Sequence, residues 1–463
     1  MHWDEFSDWG AKISQWAADY HKNLRDRPVR AQTAPGDVAA LLEQSAPETP
    51  QSMQEIMADF ERVVMPGMTH WQHPRFFAYF PANAAPPSML AEMLVSTIAA
   101  QCMLWQTSPA ATEMETVMLD WLRQAIGLPA GFSGVIQDSA SSATLAAVLT
   151  MRERALNWQG NRSGLSGAPR LRIYCSAEVH TSVDRAIWVA GIGQDNLVRI
   201  PICGIRRGMD PVALRAAIEA DIAAGDLPAG VIACTGGTGT GACDDLTAVL
   251  GLAKEFNLYS HVDAAWAGAG MICPEFRALW AGIEDADSLV FNPHKWLGAQ
   301  FDCSAHFLAD PASLVKTLAI QPEYLKTHGR DGVINYSEWS LPLGRRFRAL
   351  KLWFLLRSYG LEALRQRLRN HVAWAENLAD QLSQNPHFEI VTAPVLSLFT
   401  FRLAGRDDAA QIAFVNRIND DGRIYITQTK VDGQIAVRFQ IGQFDVTQDD
   451  VHAAYDVLCA LAA

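Results

Sequence analysis

Apolar positions recur along this chain at two spacings, and the change from one to the other predicts its architecture. Phe6, Trp9, Ile13, Trp16, Ala17, Tyr20 and Leu24 follow at intervals of three and four, which predicts an amphipathic helix over residues 4–25 with its large aromatics on one face. Pro28 ends it, and Pro35-Gly36 and Pro47 to Pro50 punctuate a linker containing a short helix. Further helices are expected over 53–64, stopped by Pro66-Gly67, and over 88–104 and 112–126. Residues 134–144 open a long alanine-rich helix. Short β-prone runs then alternate with helices: 171–174, a helix containing His180 and Arg185, 198–201, 211–224, 231–234, 246–256, 258–262 and 288–291. That rhythm belongs to an α/β fold with an open, mostly parallel central sheet covered by helices on both faces. A strand within 301–308 and helices over 345–359 and 361–382 follow. A smaller α+β lobe closes the chain with 396–403, 408–421, 424–429, 435–441 and 447–462. The division expected is a helical N-terminal arm over 1–84, a large domain over 85–350 and a small C-terminal domain over 351–463.

Composition narrows the class. With 463 residues, 49% of them hydrophobic and 19% charged, the chain can bury a large core. A net charge of −12 argues against nucleic acid or an anionic membrane as partner. Eight scattered cysteines without a C-x-x-C pair fit reduced thiols in a cytoplasmic protein. The start lacks the basic and apolar regions of a signal peptide, and no uncharged apolar run reaches 18 residues.

In a parallel sheet ligands gather at the carboxyl ends of the strands, and His180, Thr238, Asp263, Asn292 and Lys295 all fall at or just past such ends. A lysine in a partly apolar cleft can be held neutral and attack a carbonyl. Lys295 and Asp263 end neighbouring strands, so an amine and a carboxylate would flank a surface of small residues such as Ala265, a shape suited to a planar cationic heterocycle. Ser139, Ala140 and Ser141 stand at a helix start, where free backbone N–H groups and hydroxyls can hold a phosphate. The glycines of 236–241 lack the arrangement of a dinucleotide loop and fit a backbone brought close to a flat ligand. The irregular aromatic stretch 68–81 can wall an apolar pocket, and 322–333, polar with glycine hinges, reads as a lid. His70 and His73 are three apart outside a helix, and no metal site is read there or elsewhere. A pyridine aldehyde bearing a phosphate would use every member of this set.

Residues 261–268 (HVDAAWAG), 292–298 (NPHKWLG), 302–304 (DCS) and 342–348 (PLGRRFR) resemble the group II pyridoxal-phosphate decarboxylases and, within them, the aromatic-L-amino-acid decarboxylases. The likeness extends over nearly the whole chain. It implies the fold type I architecture of aspartate aminotransferase and pyridoxal 5'-phosphate as cofactor. It matches Lys295 to the Schiff-base lysine, Asp263 to the partner of the pyridine nitrogen, His180 to the histidine on the ring and Thr238 to a threonine beside it. Ser139, Ser141, Asn292 and His294 match positions near the phosphate and the lysine. Trp71, Tyr79, Phe80 and Pro81 resemble the aromatic substrate pocket, with Met103 where the animal enzyme has an aromatic residue and Gly344 leaving room for an indole. Tyr324 in the lid matches the tyrosine that returns a proton after CO2 leaves. In this family two chains build each site and the N-terminal helices wrap the partner, so a homodimer is expected.

These matches imply decarboxylation of tryptophan, tyrosine or dihydroxyphenylalanine to an arylethylamine. Glutamate is disfavoured because Arg75 is the one arginine in 71–81. The tyrosine hydroxyl at 324 speaks against an oxygen-dependent aldehyde synthase. An aminotransferase would need a clear arginine for the α-carboxylate, and a binding protein built on this fold would have lost Lys295, Asp263 or His180. Asp138 stands where a glycine is common, and a carboxylate beside a phosphate is electrostatically unwelcome. Ala82 replaces a pocket threonine.

Overall fold

The computed structural model describes residues 3–320 and 333–462. The chain divides into two compact units, one of residues 82–373 with 394–398, the other of residues 1–81 with 374–393 and 399–463.

The larger unit is built on a seven-stranded sheet in the order Ser133–Gln137, Ser304–Leu308, Ser288–Phe291, Tyr259–Asp263, Leu227–Cys234, Leu171–Ser176, Leu197–Ile200. Ser304–Leu308 runs against both its neighbours and the other strands share one direction, so the sheet is mixed but mostly parallel. The central parallel strands Tyr259–Asp263 and Ser288–Phe291 are buried along their whole length, as expected of a sheet covered on both faces. The helix Ala140–Ala155 covers one face through Ala143, Ala146, Ala147 and Met151. Small residues there leave room for large ones on the sheet. A Cβ on Gly230 would lie 2.4 Å from Met151 Sδ.

Four strands among the described residues lie outside the apolar runs recognised in the sequence: Ser133–Gln137 in this sheet, the short pair Ile202–Cys203 and Gly208–Met209, and Phe388–Val395 in the other unit. The helix expected over 88–104 is Pro86–Ile98 and ends at Ala99 in the left-handed region, φ 51°. Past it the chain is held by other bonds: Thr107 and Ser108 hydroxyls donate to Gln101 O (2.9 and 3.0 Å), and Gln101 Oε1 accepts from Arg345 N (2.7 Å). Met103 therefore lies in a turn. The helices expected over 345–359 and 361–382 form Ala349–Gln384, broken at Gly360, where φ of 68° is open to glycine at no steric penalty.

The smaller unit carries a four-stranded sheet ordered Phe388–Val395, Leu398–Leu403, Gln434–Gln440, Thr427–Val431, with Asp408–Asp421 and Gln448–Ala462 packed through Phe414, Ile418, Val451 and Leu458. The aromatic stretch belongs here. Trp71 stacks on Phe76 (4.7 Å between centroids) and Tyr79 (5.8 Å), while Phe77 stacks on Phe439. Asp450, buried, ties Arg25 and Arg75 at 2.8 and 3.1 Å. His70 Nδ1 meets Tyr20 Oη at 2.9 Å, and His73 Nδ1 accepts from Arg75 N. No helix among the described residues is long and apolar enough to cross a membrane.

Candidate active site

The carboxyl ends of the parallel strands converge on a cavity of about 180 Å3. Its lining contains Ser139, Ala140, Ser141, His180, Thr238, Asp263, Ala265, Asn292, His294 and Lys295, together with Ser182, Cys234, Gly236, Gly237 and Trp266. Residues up to 156 positions apart in sequence (139 to 295) thus meet because the strands that carry them are neighbours or share the covering helix.

Each wall has a local cause. Ser139 ends the turn after Ser133–Gln137 and caps Ala140–Ala155: its Oγ accepts from Ser142 N (3.2 Å) and donates to Asp138 Oδ1 (3.0 Å). The Asp138 carboxylate is thereby turned to the Ser139 hydroxyl, and it lies within electrostatic reach of Arg348, whose pKa it helps to raise. The glycine turn is forced by contact. A Cβ on Gly236, at φ 86°, would come within 2.4 Å of Ala267 Cβ, and one on Gly237 within 3.0 Å of Glu178 O. Trp266 Nε1 donates to Gly236 O (2.6 Å), which fixes that turn beside the strand end.

Asp263 is buried, and its Oδ1 accepts from Ala265 N at 3.0 Å. Asn292 Oδ1 accepts from Ser304 Oγ at 2.7 Å. Ser304 can reach it because its strand runs the opposite way and begins at this edge. His294 Nδ1 accepts from Cys303 N at 2.9 Å, which places the ring proton on Nε2. Burial first, and the Lys295 charge second, push the His294 pKa down to about 3, so the ring is neutral. His180 Nδ1 accepts from Ser182 N (3.1 Å) and meets Ser182 Oγ at 2.9 Å. Crowding around its ring lowers the His180 pKa; Asp263 opposes that shift, while Lys295 and Arg185 reinforce it. One imidazole therefore senses both the carboxylate and the amine. With Nδ1 accepting from Ser182 N, a neutral His180 carries its proton on Nε2.

The remaining residues singled out in the sequence lie elsewhere. Met103 and Gly344 belong to the same compact unit but are not among the cavity's lining residues. Trp71, Tyr79, Phe80 and Pro81 belong to the other unit. Tyr324, with the expected lid, falls outside the described residues. Two arginines of the run 342–348 are buried in ion pairs: Arg345 Nη2 meets Glu115 Oε1 at 2.6 Å and Arg348 Nε meets Asp302 Oδ1 at 2.7 Å. Among the described residues no three His, Cys, Asp or Glu side chains gather as a metal site.

The arrangement fits a phosphorylated pyridine aldehyde on its own terms. One amine, one buried carboxylate and two neutral imidazoles share a cavity whose glycine walls admit no Cβ, and a capped helix start offers hydroxyls and N–H groups for a phosphate.

Comparison with known proteins agrees. Residues 35–404 match the model of the pyridoxal-dependent decarboxylase conserved domain. The chain is 40% identical to the aromatic-L-amino-acid decarboxylase of Sus scrofa, over 100% of this chain and 97% of that protein. It is 36% identical to the phenylacetaldehyde synthase of Arabidopsis thaliana, over 99% of this chain and 96% of that protein. Its fold superposes on Oryza sativa TDC, solved with PLP and tryptamine, with a TM-score of 0.96, 33% identity and coverage of 100% and 98%. A pyridoxal-phosphate cavity on a fold type I sheet and this likeness along the whole chain lead to one conclusion: the chain belongs to the group II pyridoxal-phosphate-dependent decarboxylases, in the aromatic-L-amino-acid decarboxylase family.

Proposed function

We propose that the protein decarboxylates an aromatic L-amino acid, tryptophan, tyrosine or dihydroxyphenylalanine, to the arylethylamine and CO2. The observation that carries this reading is the meeting of Lys295, Asp263 and His180 in one cavity. Bound there, pyridoxal phosphate supplies an aldehyde and a ring that accepts electrons. Lys295 Nζ is the group that attaches to it, and the Asp263 carboxylate holds a proton on the pyridine nitrogen. Ser139, Ser141 and the N–H groups at Ala140 hold the phosphate, with Asn292 and His294 near it. His180 covers one ring face, Ala265 the other, and Thr238 lies at the edge. Trp71, Tyr79, Phe80, Pro81, Met103 and Gly344 shape the aromatic pocket, and Tyr324 returns the proton to carbon.

The same reading makes the protein a cytoplasmic homodimer with shared active sites, in which the 1–84 arm wraps the partner, 85–350 binds the cofactor and 351–463 forms the small domain. Two surfaces support it. The helix Trp3–Lys22 has no buried residue in its own chain and exposes Trp3, Phe6 and Ile13. Pro86–Ile98 exposes Leu90, Met93, Leu94 and Ile98.

Incubating the protein with each of the three amino acids, in air and without oxygen, tests the reading. Equal amounts of amine and CO2 under both conditions are expected. An oxygen-dependent yield of aldehyde, ammonia and hydrogen peroxide alongside CO2 would move the protein to the aldehyde-synthase reading, which its similarity to the Arabidopsis phenylacetaldehyde synthase keeps in view.

A further inference from the structure

Lys295 holds a backbone conformation of φ −94° and ψ −107°, outside the helical and extended regions. Such a conformation persists where its surroundings fix it. Here they come from a stretch more than two hundred positions upstream. Residues 83–88 run alongside 294–300: Asn83 N donates to His294 O (2.8 Å), Asn83 Nδ2 to Lys295 O (2.7 Å) and Ala85 N to Gly298 O (3.0 Å), while Ser88 Oγ accepts from Gln300 N (2.6 Å).

Asn83 is 1% exposed. Water does not compete for its amide, so losing Nδ2 would remove the shorter of two bonds to the Lys295 carbonyl and leave the longer one from Gly298 N (3.3 Å). Like the Ser88 bond, the Asn83 Nδ2 bond is made by a side chain, but of these four it alone ends on the carbonyl of the lysine itself, and a substitution removes it while the backbone bonds of the same stretch remain.

We propose that Asn83 is a positioning residue for Lys295. By gripping the Lys295 carbonyl it sets the peptide rotation that directs the side chain into the cavity, and so the angle at which the amine meets the cofactor's aldehyde. The inference rests on Lys295 being the attachment point. Asn83 acts through Lys295, and a displacement of the amine by a fraction of its reach is enough to slow a reaction that depends on alignment.

The test compares apoprotein of the wild type, Asn83→Ala, Asn83→Asp, Ser88→Ala and Lys295→Ala. Each is mixed with pyridoxal phosphate, quenched with borohydride at intervals and weighed by intact mass spectrometry, with kcat, KM and Tm measured alongside. Asn83→Ala is expected to capture the cofactor about tenfold more slowly and to lose a similar factor in kcat, with KM changed less than about threefold. Asn83→Asp keeps the shape, loses the Nδ2 donor, and carries the test should the alanine variant fail to fold. Ser88→Ala loosens the same stretch away from Lys295 and is expected to capture at the wild-type rate. Wild-type capture by Asn83→Ala, or equal slowing by Ser88→Ala, overturns the inference and leaves the Lys295 assignment standing. Undiminished capture by Lys295→Ala overturns both.

Discussion

Two lysines of the larger unit show what separates a reactive cation from a structural one. Lys351 is 0% exposed, and its ammonium reaches Gln300 O (3.1 Å), Gln300 Oε1 (2.9 Å), Asp302 O (3.0 Å) and Glu92 Oε1 (2.7 Å). Four acceptors for its donors hold it fixed. Lys295 is half-buried at the wall of a cavity, next to a histidine whose pKa its charge lowers. Both sit in motifs rich in basic residues, 292–298 and 342–351. The composition of the motif does not tell them apart. Their places do: Lys351 is enclosed by the groups that bind its ammonium and holds elements together, and Lys295 lines the cavity at the strand ends.

Substitutions can break or sharpen that contrast. The largest effect is expected at Lys295→Ala, where turnover should fall by more than about a thousandfold while Tm stays near that of the wild type, read by amine release and thermal unfolding. Lys351→Met should reverse the pattern. Glu92 keeps Arg346, but losing one partner of a buried pair costs about 3 kcal/mol, read by urea unfolding, with kcat little changed in the protein that remains folded.

A third comparison uses pH. Burial pushes His294, His306 and His371 down to about 3, against an ordinary value of 6.5. The unfolded chain therefore binds protons at these positions that the folded chain refuses. Their contribution is intact above about pH 6.5 and is lost as the pH falls from there towards 3. Between pH 6.5 and 5 each histidine removes up to about 2 kcal/mol. His306→Leu should flatten this acid limb in urea titrations run at several pH values without altering cofactor capture. The smallest effect is expected at Asp138→Asn. Removing a carboxylate beside the serines proposed to hold the phosphate should tighten pyridoxal-phosphate binding by about two- to fivefold in a fluorescence titration, and leave pyridoxal, which lacks the phosphate, unchanged.

Much of the sheet and cavity can be read from the chain because the central strands are short β-prone runs that hand over to polar residues at their carboxyl ends. Tyr259–Asp263 and Ser288–Phe291 announce themselves that way, and with them Asp263, Asn292 and Lys295. Ser133–Gln137 does not. It includes Gly134, whose missing Cβ makes room for His306 O, Leu119 and Phe307, and its partner strand lies up to 175 residues away (133 against 308). Phe388–Val395 carries Glu389, Thr392 and Pro394 on an edge strand, where alternation is weak. Asn83 was hidden for a related reason. An asparagine in a proline-flanked stretch reads as a turn former, and its burial against Lys295 follows from tertiary packing. The 342–348 run carried the family likeness, yet its arginines serve the Glu115 and Asp302 pairs, which no local spacing reveals.

The central claim is that the cavity at the strand ends takes pyridoxal phosphate through Lys295. The most direct measurement is reduction of the pyridoxal-phosphate-loaded protein with borohydride, followed by proteolysis and mass spectrometry of the labelled peptide. One phosphopyridoxyl group per chain, on Lys295, is the result this account expects. A label on Lys351 or another lysine, or none at all after saturation with the cofactor, would contradict it.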